Sequence, residues 1–149
     1  MSEIIEALEV NLRYAKRFIP ENDNIDVVLT KEIVPGERSA YDTIIHGLKP
    51  MYQRAYADLN SISDLEDIEL PINNDLSPRQ QIFETYETTL QLFIEAREKF
   101  DEEMDMIVNK EYQQTRSKQY ATVGMHTIHH LGQAIGICNI MLRQLETRN

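Results

Sequence analysis

Three of the chain's four histidines, His126, His129 and His130, fall within five residues. A helix turns about 100° per residue, so His126 and His130 stand one turn apart on one face, where two imidazoles can reach the same metal ion. The spacing suits equally a pair of core histidines whose ring nitrogens find protein partners. His129 is turned about 100° from His130 and belongs at a surface or an interface. Two common metal chemistries are excluded by the neighbours. A zincin needs Glu directly after its first histidine as general base, and Thr127 stands there. Di-iron bundles need Glu three residues before a histidine ligand, and Thr43, Val123, His126 and Thr127 hold those positions. A metal site here is therefore mononuclear, with two imidazoles from one helix and at least one ligand from elsewhere.

The elements that carry these residues read as helices. Ile4, Ile5, Leu8, Leu12, Ala15 and Ile19 recur at three- and four-residue steps until Pro20 and Asn22-Asp23-Asn24 end the first segment. A second, after Pro35-Gly36, aligns Ala40, Ile44, Leu48, Met51, Ala55 and Leu59; Pro50 inside it predicts a kink or break beside His46. The third opens on Ser77-Pro78-Arg79-Gln80, an N-cap serine, a proline in the first turn and a glutamine placed for a capping box. Its apolar stripe runs from Ile82 through Met104 to Ile107, and Asn109 to Arg116 is a polar connector. The fourth segment, from near Ser117 to Leu145, puts Val123, His126, His130, Ala134, Ile137, Met141 and Leu145 on one face, with both histidines inward.

A second set on that helix, Ile128, Leu131, Ile135 and Leu142, widens the apolar band beyond one core and predicts a homodimer. The alternative cover is the stretch from Pro20 to Pro35, whose Ile25, Val27, Val28 and Leu29 form the only strand-like run; a single strand has nothing to pair with. The pattern predicts an all-α, four-helix bundle in one domain, residues 1–149, with a long connection between the first and second helices.

Other residues have plainer roles. Asp42 reads as a surface acid, although it stands one turn before His46. Tyr86 reads as a core-boundary side chain with its hydroxyl in water, and Cys138 as a buried apolar cysteine. Asp101-Glu102-Glu103-Met104-Asp105 reads as a solvated acidic face, and Gly132 and Gly136 as a packing groove.

Composition removes several function classes. The net charge of -10, from 25 acidic against 15 basic side chains, leaves no counterion-release force for nucleic acid. No apolar run approaches the roughly 20 residues that cross a bilayer, and acids stand at the N-terminus where a signal peptide carries bases. With a single cysteine, these features predict a cytoplasmic protein with no membrane partner. Gly-rich phosphate loops and the G-x-S-x-G nucleophile turn are absent.

The segment His126-Thr127-Ile128-His129-His130-Leu131-Gly132-Gln133 resembles the last-helix signature of the DinB/YfiT-like superfamily, in which a His-x-x-x-His pair is followed by Arg-Gly-Gln. Ser39-Ala40-Tyr41-Asp42-Thr43-Ile44-Ile45-His46 is similar to that family's second-helix pattern, and the two lie in the family's order. The resemblance implies a four-helix bundle in which His46, His126 and His130 bind a divalent metal, zinc or nickel, with positions open for water or substrate. It implies a hydrolase or a thiol S-transferase acting on a small-molecule substrate, with a low-molecular-weight thiol such as bacillithiol, mycothiol or glutathione. Leu131 departs from the family's arginine. The alternative is a non-catalytic metal-binding or stress-response module whose acidic surface meets a protein partner.

Overall fold

A computed structural model describes residues 3–148; Met1 and Ser2, at the head of the acidic N-terminus, and Asn149 lie outside the described residues. Helix α1 (Glu3–Phe18) has Glu3 and Glu6 in its first turn and Lys16 and Arg17 in its last, each sign opposing the helix dipole's end charge. It buries Ile5, Leu8 and Ala15. Helix α3 (Ala40–Asn60) is capped by Ser39, whose side chain accepts from the Asp42 N–H, and ends on Ser61 in the left-handed region at φ 54°. Helix α4 (Pro78–Lys99) opens on the expected capping box, with Ser77 and Gln80 each satisfying the other's backbone N–H. Helix α5 (Arg116–Arg148) is the longest. Helix α3 is central, packing most extensively on α5 and α4, while α1 lies across both. No helix among the described residues is long and apolar enough to cross a membrane.

The protein is mostly helical, as expected, with five α-helices among the described residues rather than four. The addition is α2 (Ile25–Thr30), which occupies the strand-like run. Ile25, Val28 and Leu29 are buried while Val27 is 65% exposed, a spacing of three and four that only a helix turns to one side. This short helix packs on α3, α4 and α5, so the stretch from Pro20 to Pro35 does supply cover for the bundle.

Three further expectations are corrected. The third helical stripe does not reach Ile107: α4 stops at Lys99, and a single 3-10 turn, Asp101–Glu103, follows. Three successive acids at the negative end of a helix dipole oppose its extension. Met104 still enters the core, but Ile107 is 47% exposed on strand β1 (Ile107–Asn109), which pairs antiparallel with β2 (Gln114–Thr115) across the polar connector. Secondly, α3 continues unbroken through Pro50. The proline removes one N–H from the ladder, and packing against two helices outweighs that local loss. Thirdly, Tyr86 is fully buried, its hydroxyl 2.9 Å from the Leu8 carbonyl and 3.2 Å from Asn11 Oδ1.

The buried line of α5 is Tyr120, Thr127, Leu131, Ala134, Cys138 and Met141. It is turned by about one residue from the face expected, so His126 and His130 stand at its margin and are half-buried. Leu131 is 1% exposed within the single chain, and Ile128, Ile135 and Leu142 pack partly buried against the same core. Of the apolar face that motivated a homodimer, Leu131 is covered inside one subunit, and Ile128, Ile135 and Leu142 are covered in part.

Toward the C-terminal end of α3, Asp58 gathers a largely buried polar cluster. Its Oδ1 accepts from Arg54 Nη2 at 2.8 Å, and its Oδ2 accepts from the Tyr120 hydroxyl at 2.6 Å with Arg116 Nε at 3.8 Å. Arg116 also lies over the Phe100 ring, 4.1 Å from its centroid. Burial and the Asp58 contact push the Tyr120 hydroxyl's pKa up, so it stays a donor.

Candidate metal centre

Two helical glycines allow α5 to approach its neighbours closely, Gly47 of α3 and Gly124 of α5 itself. A Cβ built on Gly47 lies 2.7 Å from the His130 Cβ, and one on Gly124 lies 2.5 Å from Ile4 Cγ1. These two close approaches bring α5 against α3 and α1, and the first sets His130 beside the residue that follows His46. Thr127 fixes the same contact: its buried hydroxyl is 2.8 Å from the Gly47 carbonyl and 3.1 Å from the Val123 carbonyl. The residue that excludes a zincin thus ties together the two helices of the site.

The three histidines expected to act together do come together. One ring nitrogen from each of His46, His126 and His130 lies within 4.8 Å of the others, close enough to bind a single metal ion. The ring centroids are 4.4 Å apart for His126 and His130, 4.8 Å for His46 and His130, and 5.3 Å for His46 and His126. His126 Nε2 and His130 Nε2 face each other at 3.1 Å. Two imidazoles bonded at about 2.0–2.1 Å to a tetrahedral zinc have nitrogens about 3.3 Å apart, so the pair is spaced for one ion.

The outer ring nitrogens bear on the same question. Gln133, three residues past His130, places Oε1 2.8 Å from His130 Nδ1. With the proton on Nδ1, the lone pair of Nε2 points at the cluster centre. His126 Nδ1 is buried with no hydrogen-bond partner. Without a cation the two Nε2 atoms must share one proton between them; a cation between the rings takes that proton's place and uses both lone pairs. The donor set fits a divalent ion.

Burial and neighbouring charge favour the neutral form of two of the rings. The His46 pKa is lowered, first by burial and then by the positive charge of Arg38 and by the other two rings, with Lys49 adding to it. That of His126 is lowered by burial and by His130, against the pull of the Gly47 carbonyl. Neutral imidazole is the metal-binding form.

The surroundings match expectation in part. His129 is exposed, its ring 5.2 Å from that of His130 but outside the cluster, and Asp42 is a surface acid. Cys138 is fully buried, and its thiol is pushed up to about 11 by burial. Gly132 and Gly136 face open space rather than a packed groove. Sequence reasoning passed over Gly47 and Arg38, and quoted Gln133 only as part of the last-helix signature, without a role. Gly47 had a signal, since an isolated glycine inside a helix costs about 1 kcal/mol and calls for a packing reason.

A cleft of about 820 Å³ opens beside His130, between α5 and the loop that precedes α3. Compared with protein-family models, curated proteins and solved structures, the chain matches none.

Proposed function

We propose that His46, His126 and His130 hold one divalent ion, zinc or nickel, as the centre of a metal-dependent enzyme of the DinB/YfiT-like type, a hydrolase or a thiol S-transferase. The observation that carries this reading is the approach of three imidazoles from two helices, beside an open cleft. A bound divalent ion supplies a Lewis acid that lowers the proton affinity of a water or thiol at a vacant coordination position. The chain supplies the rest. Gln133 orients His130, Thr127 and Gly47 hold the helices at working distance, and the cleft admits a small molecule next to the rings. No carboxylate or thiol joins the three rings among the described residues, which leaves ligand positions free.

That same feature favours a second reading, a metal-binding module without catalysis, because a general base is not evident beside the rings. Metal-loaded protein assayed with bacillithiol, mycothiol, glutathione or water against electrophilic substrates separates the two. The enzyme reading expects turnover that disappears in His130→Ala. Stoichiometric metal without turnover across the panel supports the module, and no metal uptake refutes both.

A further inference from the structure

The cleft beside His130 combines three features that nothing in the metal site itself requires. Its walls are apolar and exposed: Ile33 and Val34 from the loop and Ile140 from α5 are 46%, 54% and 54% exposed, and all three border this one cavity. The loop is shaped rather than slack. Gly36 takes φ +89°, its N–H donates to the Glu32 carboxylate, and the Glu37 N–H donates to the Val34 carbonyl at 2.9 Å. Gly136, on the opposite wall, has nothing within 4 Å of where a Cβ would stand, so the wall is cut back there.

The third feature is charge. Arg38 lines the cleft, is exposed, and makes no ion pair or hydrogen bond among the described residues, although the chain as a whole carries ten net negative charges. An unpaired guanidinium beside an apolar cleft is a carboxylate-recognising group, because its planar donors match a carboxylate fork. One acid, Glu37, also lines the cleft. Its negative charge opposes a doubly charged group such as a phosphate monoester more strongly than a singly charged carboxylate.

We infer that this cleft binds an amphiphilic monocarboxylate, with its carboxylate on Arg38 and its apolar body between Ile33, Val34 and Ile140, reaching toward His130. The inference deepens the proposed function, and rests on it for the reactive end alone, since Arg38 and the apolar walls stand without a metal. The volume suits the class: ligand clefts of roughly 300–1,000 Å³ are mostly apolar, with a few placed polar groups.

The test uses hexanoate, hexanol and hexyl phosphate as probes, followed by calorimetry and by backbone amide shifts, with the intact chain. Each is titrated into zinc-loaded and chelator-treated wild type and into Arg38→Gln, which is a surface change checked for fold by circular dichroism. Hexanoate is expected to shift amides in the 33–38 loop and around Gly136 and Ile140, with hexanol and hexyl phosphate at least about tenfold weaker. Arg38→Gln is expected to weaken hexanoate about tenfold and to leave hexanol unchanged. Equal hexanoate binding by Arg38→Gln, no hexanoate binding by the wild type, or a preference for hexyl phosphate overturns the inference. The two proposals fail separately. Arg38-dependent binding in a protein that takes up no zinc refutes the metal and keeps the cleft; zinc uptake with Arg38-independent binding does the reverse.

Discussion

Gly47 and Gly132 are both helical glycines near the histidines, and the structure assigns alanine opposite effects at the two positions. At Gly132 an added Cβ meets nothing within 4 Å, so Gly132→Ala should gain the ordinary helix-propensity difference of roughly 0.5–1 kcal/mol. At Gly47 the same Cβ falls 2.7 Å from the His130 Cβ, about 0.7 Å inside the 3.4 Å where ordinary contact begins. The obstructing atom is bonded directly to the α5 backbone and cannot swing aside, so the helices must part. Overpacking of this kind costs about 1–3 kcal/mol, which leaves a net loss of up to about 2.5 kcal/mol after the propensity gain. For a chain of this length 1 kcal/mol moves Tm by roughly 2–4 °C, so thermal unfolding of the metal-free proteins resolves the two signs. The parting also moves His130 away from His46, and zinc affinity should fall at least about tenfold in Gly47→Ala, comparable to the loss of an outer-shell partner. Gly132→Ala should bind zinc as the wild type does. If Gly47→Ala is as stabilising as Gly132→Ala and keeps full zinc affinity, the close approach does not position the site and the reasoning fails.

Other expectations follow from the same packing. Asp58→Ala removes the carboxylate that accepts from Arg54 and Tyr120 and lies 3.8 Å from Arg116, and should cost about 3–5 kcal/mol in urea unfolding, because it leaves the largely buried Arg54 guanidinium without its ion-pair partner; a loss under about 1 kcal/mol would contradict that role. Cys138, with its thiol held up near 11 and no exposure, should react with a thiol reagent at pH 8 only after unfolding, and rapid labelling of native protein would show the core to be open there. His46 and His126 have pKa values below the usual 6.5, so the unfolded chain binds more protons than the folded one in that range. The metal-free protein should hold its full stability above about pH 6.5 and lose it as pH falls through the lowered values; a urea midpoint that rises on acidification from pH 7 contradicts the sign, and the slope should flatten in His126→Gln.

How much of this was legible in the residues follows from what each signal measures. The Ser77-Pro78-Gln80 start of α4 was legible to the residue, because a capping box is satisfied within one turn and owes nothing to tertiary context. The end of the same helix was misplaced, since Met104 keeps an apolar, core-facing position although the chain has already turned out of the helix. Ile25 to Leu29 read as part of a connection, strand-like only in its β-branched content, whereas the helix there and the burial of Ile25, Val28 and Leu29 are decided by the three neighbouring helices. The gathering of His46 with His126 and His130 was not contained in either local spacing. It depends on one glycine, Gly47, and one threonine, Thr127, letting α3 and α5 touch, a relation across about 80 residues that periodicity does not encode. The face of α5 was judged one residue out for the same reason, as Leu131 and not His130 points at the centre of the bundle.

The most direct test of the three-histidine centre is a titration of chelator-treated protein with Co(II), read by its visible ligand-field bands, alongside His46→Ala, His126→Ala and His130→Ala. One ion per wild-type chain is expected, displaced stoichiometrically by zinc, with binding lost or weakened at least about a hundredfold in each variant, including His46→Ala on the separate helix. Wild-type protein that takes up no ion, or a His46→Ala variant that binds as tightly as the wild type, contradicts the account.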